Sequence, residues 1–143
     1  MAIRQAGFFS TDETASVLIP IILKASQMAD PYIRKAAALS ILKAYQNNSN
    51  FISQYNLDLT LHSLLDDENP NVVANCINTI SEINASLSSP IINISINSID
   101  HMLTILEDAT EWSQIQIIDF ITEIMPPNPE AINQLDIISR LSA

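Results

Sequence analysis

Two histidines, one cysteine and a scatter of carboxylates are the residues of this 143-residue chain that could hold a metal or attack a substrate. Their spacing serves neither purpose. His62 is followed by Ser63 and His101 by Met102, so neither starts a His-Glu pair of the kind that holds iron. No cysteine or second histidine stands at a zinc-ligand spacing from either one. Cys76 has no second cysteine to pair with and lies in an apolar helical register, which reads as a buried free thiol. No serine or cysteine has a histidine and an acid placed by any motif as its base and orienter. The single glycine, Gly7, excludes the glycine-rich loops that cradle nucleotide phosphates. The chain is therefore expected not to be an enzyme and to need neither metal nor cofactor.

Binding is the chemistry left. Tyr32, Arg34 and Lys35 cluster at the start of one helical stretch, and Trp112 and Gln114 at the start of another. Arg34 and Lys35 could touch a partner or a lipid phosphate, and Trp112 and Gln114 could form a binding hot spot, since tryptophan is favoured at interfaces. Each also has a structural reading. Arg34 is expected to pair with the turn aspartate of its own or a neighbouring unit, and Trp112 to pack between units with its indole hydrogen bonded at the rim.

Charge narrows the partners. Up to Lys43 the chain has five bases against three acids, and beyond it Arg140 alone against thirteen acids, for a net charge of −10. Nucleic-acid binding draws its affinity from lysine and arginine on phosphates, so nucleic acid is an improbable partner. An anionic membrane would be repelled by the same stretch, leaving only Arg34 and Lys35 for a local contact. The longest apolar run, Val17 to Leu23, is too short to span a bilayer and contains Pro20, and the amino terminus lacks the extended apolar core of a signal peptide. A soluble intracellular protein is expected.

The elements that would position these residues repeat. DPYIRKAAALSILKAY starts at Asp30, NPNVVANCINTISEI at Asn69 and TEWSQIQIIDFITEI at Thr110. Pro31, Pro70 and Glu111 align, a period near forty, which marks helical-pair repeats of the HEAT and armadillo kind. Apolar positions coincide at Ala37, Cys76 and Ile117; Ala38, Ile77 and Ile118; Ile41, Ile80 and Ile121; and Ala44, Ile83 and Ile124. Offsets of three and four put one stripe on each helix. Asp30, Asn69 and Thr110 fit the amino cap, with the prolines at the first helical position, where a missing N–H costs nothing.

Upstream of each copy lies another amphipathic segment. Asp12 to Met28 has Val17, Leu18, Ile21, Ile22 and Ala25, with Thr11 or Asp12 as cap. Leu57 to Asp66 repeats leucine at Leu57, Leu61, Leu64 and Leu65, and Ile99 to Asp108 has Ile99, Met102, Leu103 and Leu106 behind Ser98 as cap. The expected fold is all-α, an α-α superhelix with repeats at about 11–46, 53–85 and 98–125 and the start of a fourth at 128–143. Ala85 to Asn97 is expected to be an extended connector, because no second strand exists to pair with it. Met125 to Glu130, MPPNPE, ends a helix. Ile132, Leu135, Ile138 and Leu141 then form a stripe with no following helix to receive it, so a longer superhelix is expected.

Taken in order and at these spacings, the three stretches resemble the amino-terminal trunk of beta-adaptin, the beta large subunit of clathrin adaptor complexes. The resemblance covers nearly the whole chain and is strongest from Asp30 to Ile124. It implies a solenoid scaffold in a vesicle-coat adaptor, with medium, small and second large adaptor subunits as partners. It further implies an Arf-type GTPase as recruitment factor, and a cytoplasmic location, peripheral on Golgi, endosomal or plasma-membrane coated vesicles. Clathrin binding in that family belongs to the hinge and ear after the trunk, to which nothing here corresponds. The family's usual glycine is Ser113 here, and its inter-helix bases are fewer. Outside that resemblance, the repeats fit a HEAT scaffold of the phosphatase or nuclear-transport type.

Overall fold

The computed structural model describes residues 12–124. These form α1 (Asp12–Ala25), α2 (Pro31–Asn47), α3 (Phe51–Gln54), α4 (Leu57–Leu65), α5 (Pro70–Asn84), α6 (Ile96–Ile105), a 3-10 turn (Leu106–Asp108) and α7 (Glu111–Ile124). There is no strand among the described residues. The helices alternate between two layers. In one, α2, α5 and α7 stack side by side with α5 in the middle; in the other, α1 lies against α2 and α4 against α5, with α6 leading into the 3-10 turn. This is the all-α superhelical arrangement expected from the repeat.

The helices α2, α5 and α7 start as their sequences dictate. The Asp30 carboxylate accepts the Tyr32 amide at 2.9 Å, and the Asn69 side chain accepts the amides of Asn71 at 2.9 Å and Val72 at 3.4 Å. Pro31 and Pro70 follow as the first helical residues. Thr110 does the same work without a proline, its hydroxyl accepting the Ser113 amide at 3.3 Å. Such caps are worth about 1 kcal/mol each.

One contiguous core runs through the stack. Ala37, Ala38, Ile41 and Ala44 of α2 are buried, as are Cys76, Ile77, Ile80 and Ile83 of α5 and Ile117 and Ile121 of α7. Leu57, Leu61, Leu64 and Leu65 of α4 are buried, and so are Ile99, Met102 and Leu106. Alanines line α2 where α5 crosses it, which lets the Thr79 hydroxyl reach the Ala38 carbonyl at 3.0 Å across the two helices.

Several sequence expectations are corrected. Among the α1 side chains described, Ile19 and Ile22 are buried, whereas Val17 and Ile21 are exposed. The run is apolar on every side, so no stripe can be read from it, and the helix continues through Pro20. Thr11 as a cap lies outside the described residues, as do MPPNPE and the fourth unit at 128–143. Ser98 does not cap α6. Ser95 does, accepting the Ser98 amide at 3.1 Å, while Ser98 is buried one turn inside. The helix thereby starts three residues earlier, at Ile96, and only the stretch to Ser95 remains a connector. Ile92 is buried there, and the Asn84 side chain accepts the Ile91 amide at 2.8 Å.

A short helix was not expected at all. α3 buries Phe51 and Ile52, with the Phe51 ring edge-on to Tyr55 at 6.0 Å between centroids. Asn56, at φ 54°, then turns the chain into α4 in the left-handed region that asparagine tolerates better than most residues. Ile118 also departs from its stripe, being exposed on the far side of α7.

Candidate functional site

The five candidate residues fall on the first turns of α2 and α7, and α5 stands between them. They do not converge. Tyr32 is well exposed, and the Lys35 ammonium lies over its ring at 4.8 Å, a cation–π pair open to solvent. Arg34, between them in sequence, turns the other way.

The Arg34 guanidinium makes two hydrogen bonds to the Asp67 carboxylate, at 2.7 and 3.1 Å, and donates to the carbonyls of Met28 and Ala29 at 2.8 Å each. Both side chains of the pair are almost covered, 13% and 9% exposed. Its planar fork thus joins the turn before α2 to the turn before α5, a geometry that lysine cannot reproduce. The bond to Asp67 pushes the already high arginine pKa further up. The ladder reading of Arg34 is the one the geometry supports.

The Asp66–Asp67 turn is tied in the other direction too. Ser98 of α6 donates to the Asp66 carboxylate at 2.8 Å, and the His101 Nε2 lies 2.6 Å from the Asp67 carbonyl oxygen, so the imidazole donates from that nitrogen. Asp67 also accepts the Asn69 amide at 2.9 Å. Three successive units therefore meet at one two-residue turn. The histidine that sequence reasoning left without a partner is a strut between units.

At the α5–α7 junction Ser113 is buried and donates to the Asn71 side-chain oxygen at 2.8 Å, while Thr110 donates to Ser113 at 3.0 Å. Ser113 is thus a cross-unit contact. Gln114 donates to the Leu106 carbonyl at 3.0 Å, closing the turn before α7. The Trp112 side chain stands 47% exposed at the start of α7, and Ile115 and Ile118, three and six residues further along, are exposed as well.

Cys76 is fully buried, its thiol directed at the Leu61 carbonyl at 3.0 Å. Burial is the main reason its pKa is pushed far up, and the nearby charges of Asp66 and Asp67 add to it. Ellman's reagent should therefore leave the folded protein unmodified at pH 8 and titrate one thiol once denaturant is added; rapid labelling in native buffer would contradict this burial. The sign for stability follows: the contribution is complete below the ordinary thiol value of 9.0 and declines as pH rises above it, because only the unfolded chain then ionises.

A cavity of about 490 Å³ opens between the connector and the carboxyl ends of α5 and α7, lined by Asn84, Leu87, Pro90, Ile92, Phe120 and Glu123 among others. Its charged wall residue is a carboxylate, so it does not suit an anion. Among the described residues no three His, Cys, Asp or Glu side chains converge, and no helix is long and apolar enough to cross a membrane.

Comparison with known proteins identifies the frame. The family model described as Cnd1, non-SMC mitotic condensation complex subunit 1, matches residues 1–143. The AP-1 complex subunit beta-1 of Homo sapiens is 35% identical over 127 residues, which is 88% of this chain and 13% of that protein. The AP-1 complex subunit beta of Dictyostelium discoideum is 29% identical over 126 residues, again 88% of this chain and 13% of the relative. The AP-2 complex subunit beta of Schizosaccharomyces pombe is 31% identical over 100 residues, 70% of this chain and 15% of the relative. The chain thus spans about an eighth to a seventh of the length of these relatives. It belongs to the family of the Cnd1 model, and the resemblance to beta-adaptin carried by its three repeated stretches holds over most of its length.

Proposed function

We propose that the chain is a structural segment of a vesicle-coat adaptor beta subunit, a solenoid that binds other adaptor subunits and has no catalytic role of its own. The observation that carries this reading is the resemblance to AP-1 and AP-2 beta subunits across stretches whose side chains bolt the units together, Arg34 to Asp67 and Ser113 to Asn71. Medium, small and second large adaptor subunits are the partners, and an Arf-type GTPase is the recruitment factor. Clathrin would be reached only through a hinge and ear elsewhere in such a subunit. The protein would then sit on the cytoplasmic side of coated vesicles, held there through the complex.

Of the five candidate residues, Tyr32 and Lys35 are the pair we assign to partner contact, because Arg34 and Gln114 already bind their own chain. Affinity purification of the tagged protein from its own cells, followed by mass spectrometry, should recover medium and small adaptor chains. A Tyr32→Ala, Lys35→Ala double variant should retain the fold and recover them less well. Recovery of phosphatase or Ran-family partners instead would replace this reading with that of a general scaffold.

The family description favours a second reading, a scaffold in chromosome condensation. Thirteen acids against one base beyond Lys43 make direct DNA contact by this segment unfavourable. Recovery of condensin chains would nevertheless decide for it.

A further inference from the structure

The connector between α5 and α6 spans residues 85–95 and reads ASLSSPIINIS. Its two halves differ. Ile91 and Ile92 hold the chain down, the amide of the first bonded to the Asn84 side chain and the side chain of the second buried. Residues 85–90, before them, are all exposed. Ser86 is already engaged, its hydroxyl bonded to Tyr45 of α2 and to the Ile83 carbonyl. The Ser89 hydroxyl has no hydrogen-bond partner among the described residues. Ser89 is also the one serine or threonine of the chain that a proline follows, Pro90.

We propose that Ser89 is a phosphoacceptor for a proline-directed protein kinase, and that the phosphate loosens the connector from the ends of α5 and α7. A kinase transfers phosphate to a hydroxyl that its catalytic aspartate can reach, so the acceptor has to stand outside helices and be free of other bonds. Ser89 lies beyond the last residue of α5 and before the first of α6. Pro90 biases the backbone of the residue before it away from the helical region, and it is the residue that such kinases read directly after the acceptor. Ile92 stands three after Ser89, where cyclin-dependent kinases favour a base, so the mitogen-activated class is the fit. In the reaction the Ser89 Oγ bonds the γ-phosphorus of ATP, the bond from that phosphorus to the β,γ-bridging oxygen breaks, ADP leaves, and the hydroxyl proton passes to the kinase aspartate.

The new group brings a charge of about −1.5 to −2 at pH 7. Ser89 shares the cavity wall with Glu123, and no lysine or arginine among the described residues lines that cavity. The carboxyl ends of α5 and α7 add the negative ends of their dipoles. A phosphate so placed is repelled, not captured. The bond from the Ile91 amide to Asn84, two residues on, is what gives way.

The full chain, incubated with magnesium ATP and an active mitogen-activated protein kinase, should take up a single phosphate that fragmentation mass spectrometry places on Ser89. Ser89→Ala and Pro90→Ala should abolish uptake with circular dichroism unchanged, and Ser88→Ala should leave it intact. Hydrogen exchange at the Ile91 amide should quicken severalfold in the phosphorylated chain and stay as it was in Ser89→Ala treated alike. Absence of phosphate on Ser89 in the folded wild-type chain overturns the proposal, a result that needs no variant to fold. A peptide of residues 83–95 that is phosphorylated when the folded chain is not would show that the fold hides the hydroxyl. Uptake that survives Ser89→Ala overturns the assignment as well, and unchanged exchange at Ile91 overturns the loosening.

Discussion

Replacing Ile80 with aspartate should unfold the protein. Ile80 is 1% exposed in the middle of α5, the helix that touches both its neighbours in the stack, so the substitution strikes every unit at once. The loss of its burial removes about 1.5–3 kcal/mol, and a desolvated carboxylate without a partner adds several more. A domain of this size has about 5–15 kcal/mol in all. Circular dichroism should show loss of helicity or a melt displaced far downward. Leu59→Asp is the matched control, because Leu59 is 67% exposed on α4 and a surface substitution changes stability by about 0.5 kcal/mol or less. An unchanged melt for Ile80→Asp would mean that the core has been wrongly located.

The second large effect is expected at Arg34. Arg34→Ala leaves the Asp67 carboxylate, only 9% exposed, with the Asn69 amide as its remaining hydrogen-bond donor, and also strips the carbonyls of Met28 and Ala29 of theirs. Removing one partner of a largely buried ion pair costs about 3–5 kcal/mol; residual solvent access here lowers the expectation to about 2–4 kcal/mol. Arg34→Lys should recover only a part, since an ammonium cannot hold both carboxylate oxygens and two carbonyls in one plane. Guanidinium-chloride midpoints of the two single variants, and of the Arg34→Ala, Asp67→Ala pair, would measure the coupling. Strictly additive losses would show that the two residues do not act together.

What could be read in the sequence was whatever depends on local chemistry and a single period. Asp30, Asn69 and Thr110 cap the helices assigned to them, and Leu57, Leu61, Leu64 and Leu65 of α4 and the shared stripe of α2 and α5 are buried as their spacing requires. The misreadings have equally local causes. The Val17–Leu23 run of α1 is apolar at every position and offers no direction; two serines three apart both make plausible caps, and Ser95 takes the role while Ser98 bonds to Asp66. α3 is a single turn, shorter than any periodic signal. For the candidate site, aromatic and basic residue types could be picked out, but which of them face inward could not. Arg34 and Lys35 are adjacent, and one is bolted to the next unit while the other rests on an exposed ring.

The arrangement of α2, α5 and α7 has an electrostatic consequence. Their contacts match early residue with early residue and middle with middle, Asn71 with Ser113 and Ala38 with Thr79, so the three run parallel. Parallel helices add their peptide dipoles and bring their positive ends together along one edge, an alignment that is unfavourable by itself. That edge is where the chain places Asp30, Asp66, Asp67, Glu68, Asp108 and Glu111. A large share of its acidity therefore screens the collective field of its own backbone and lets like-directed helices lie side by side.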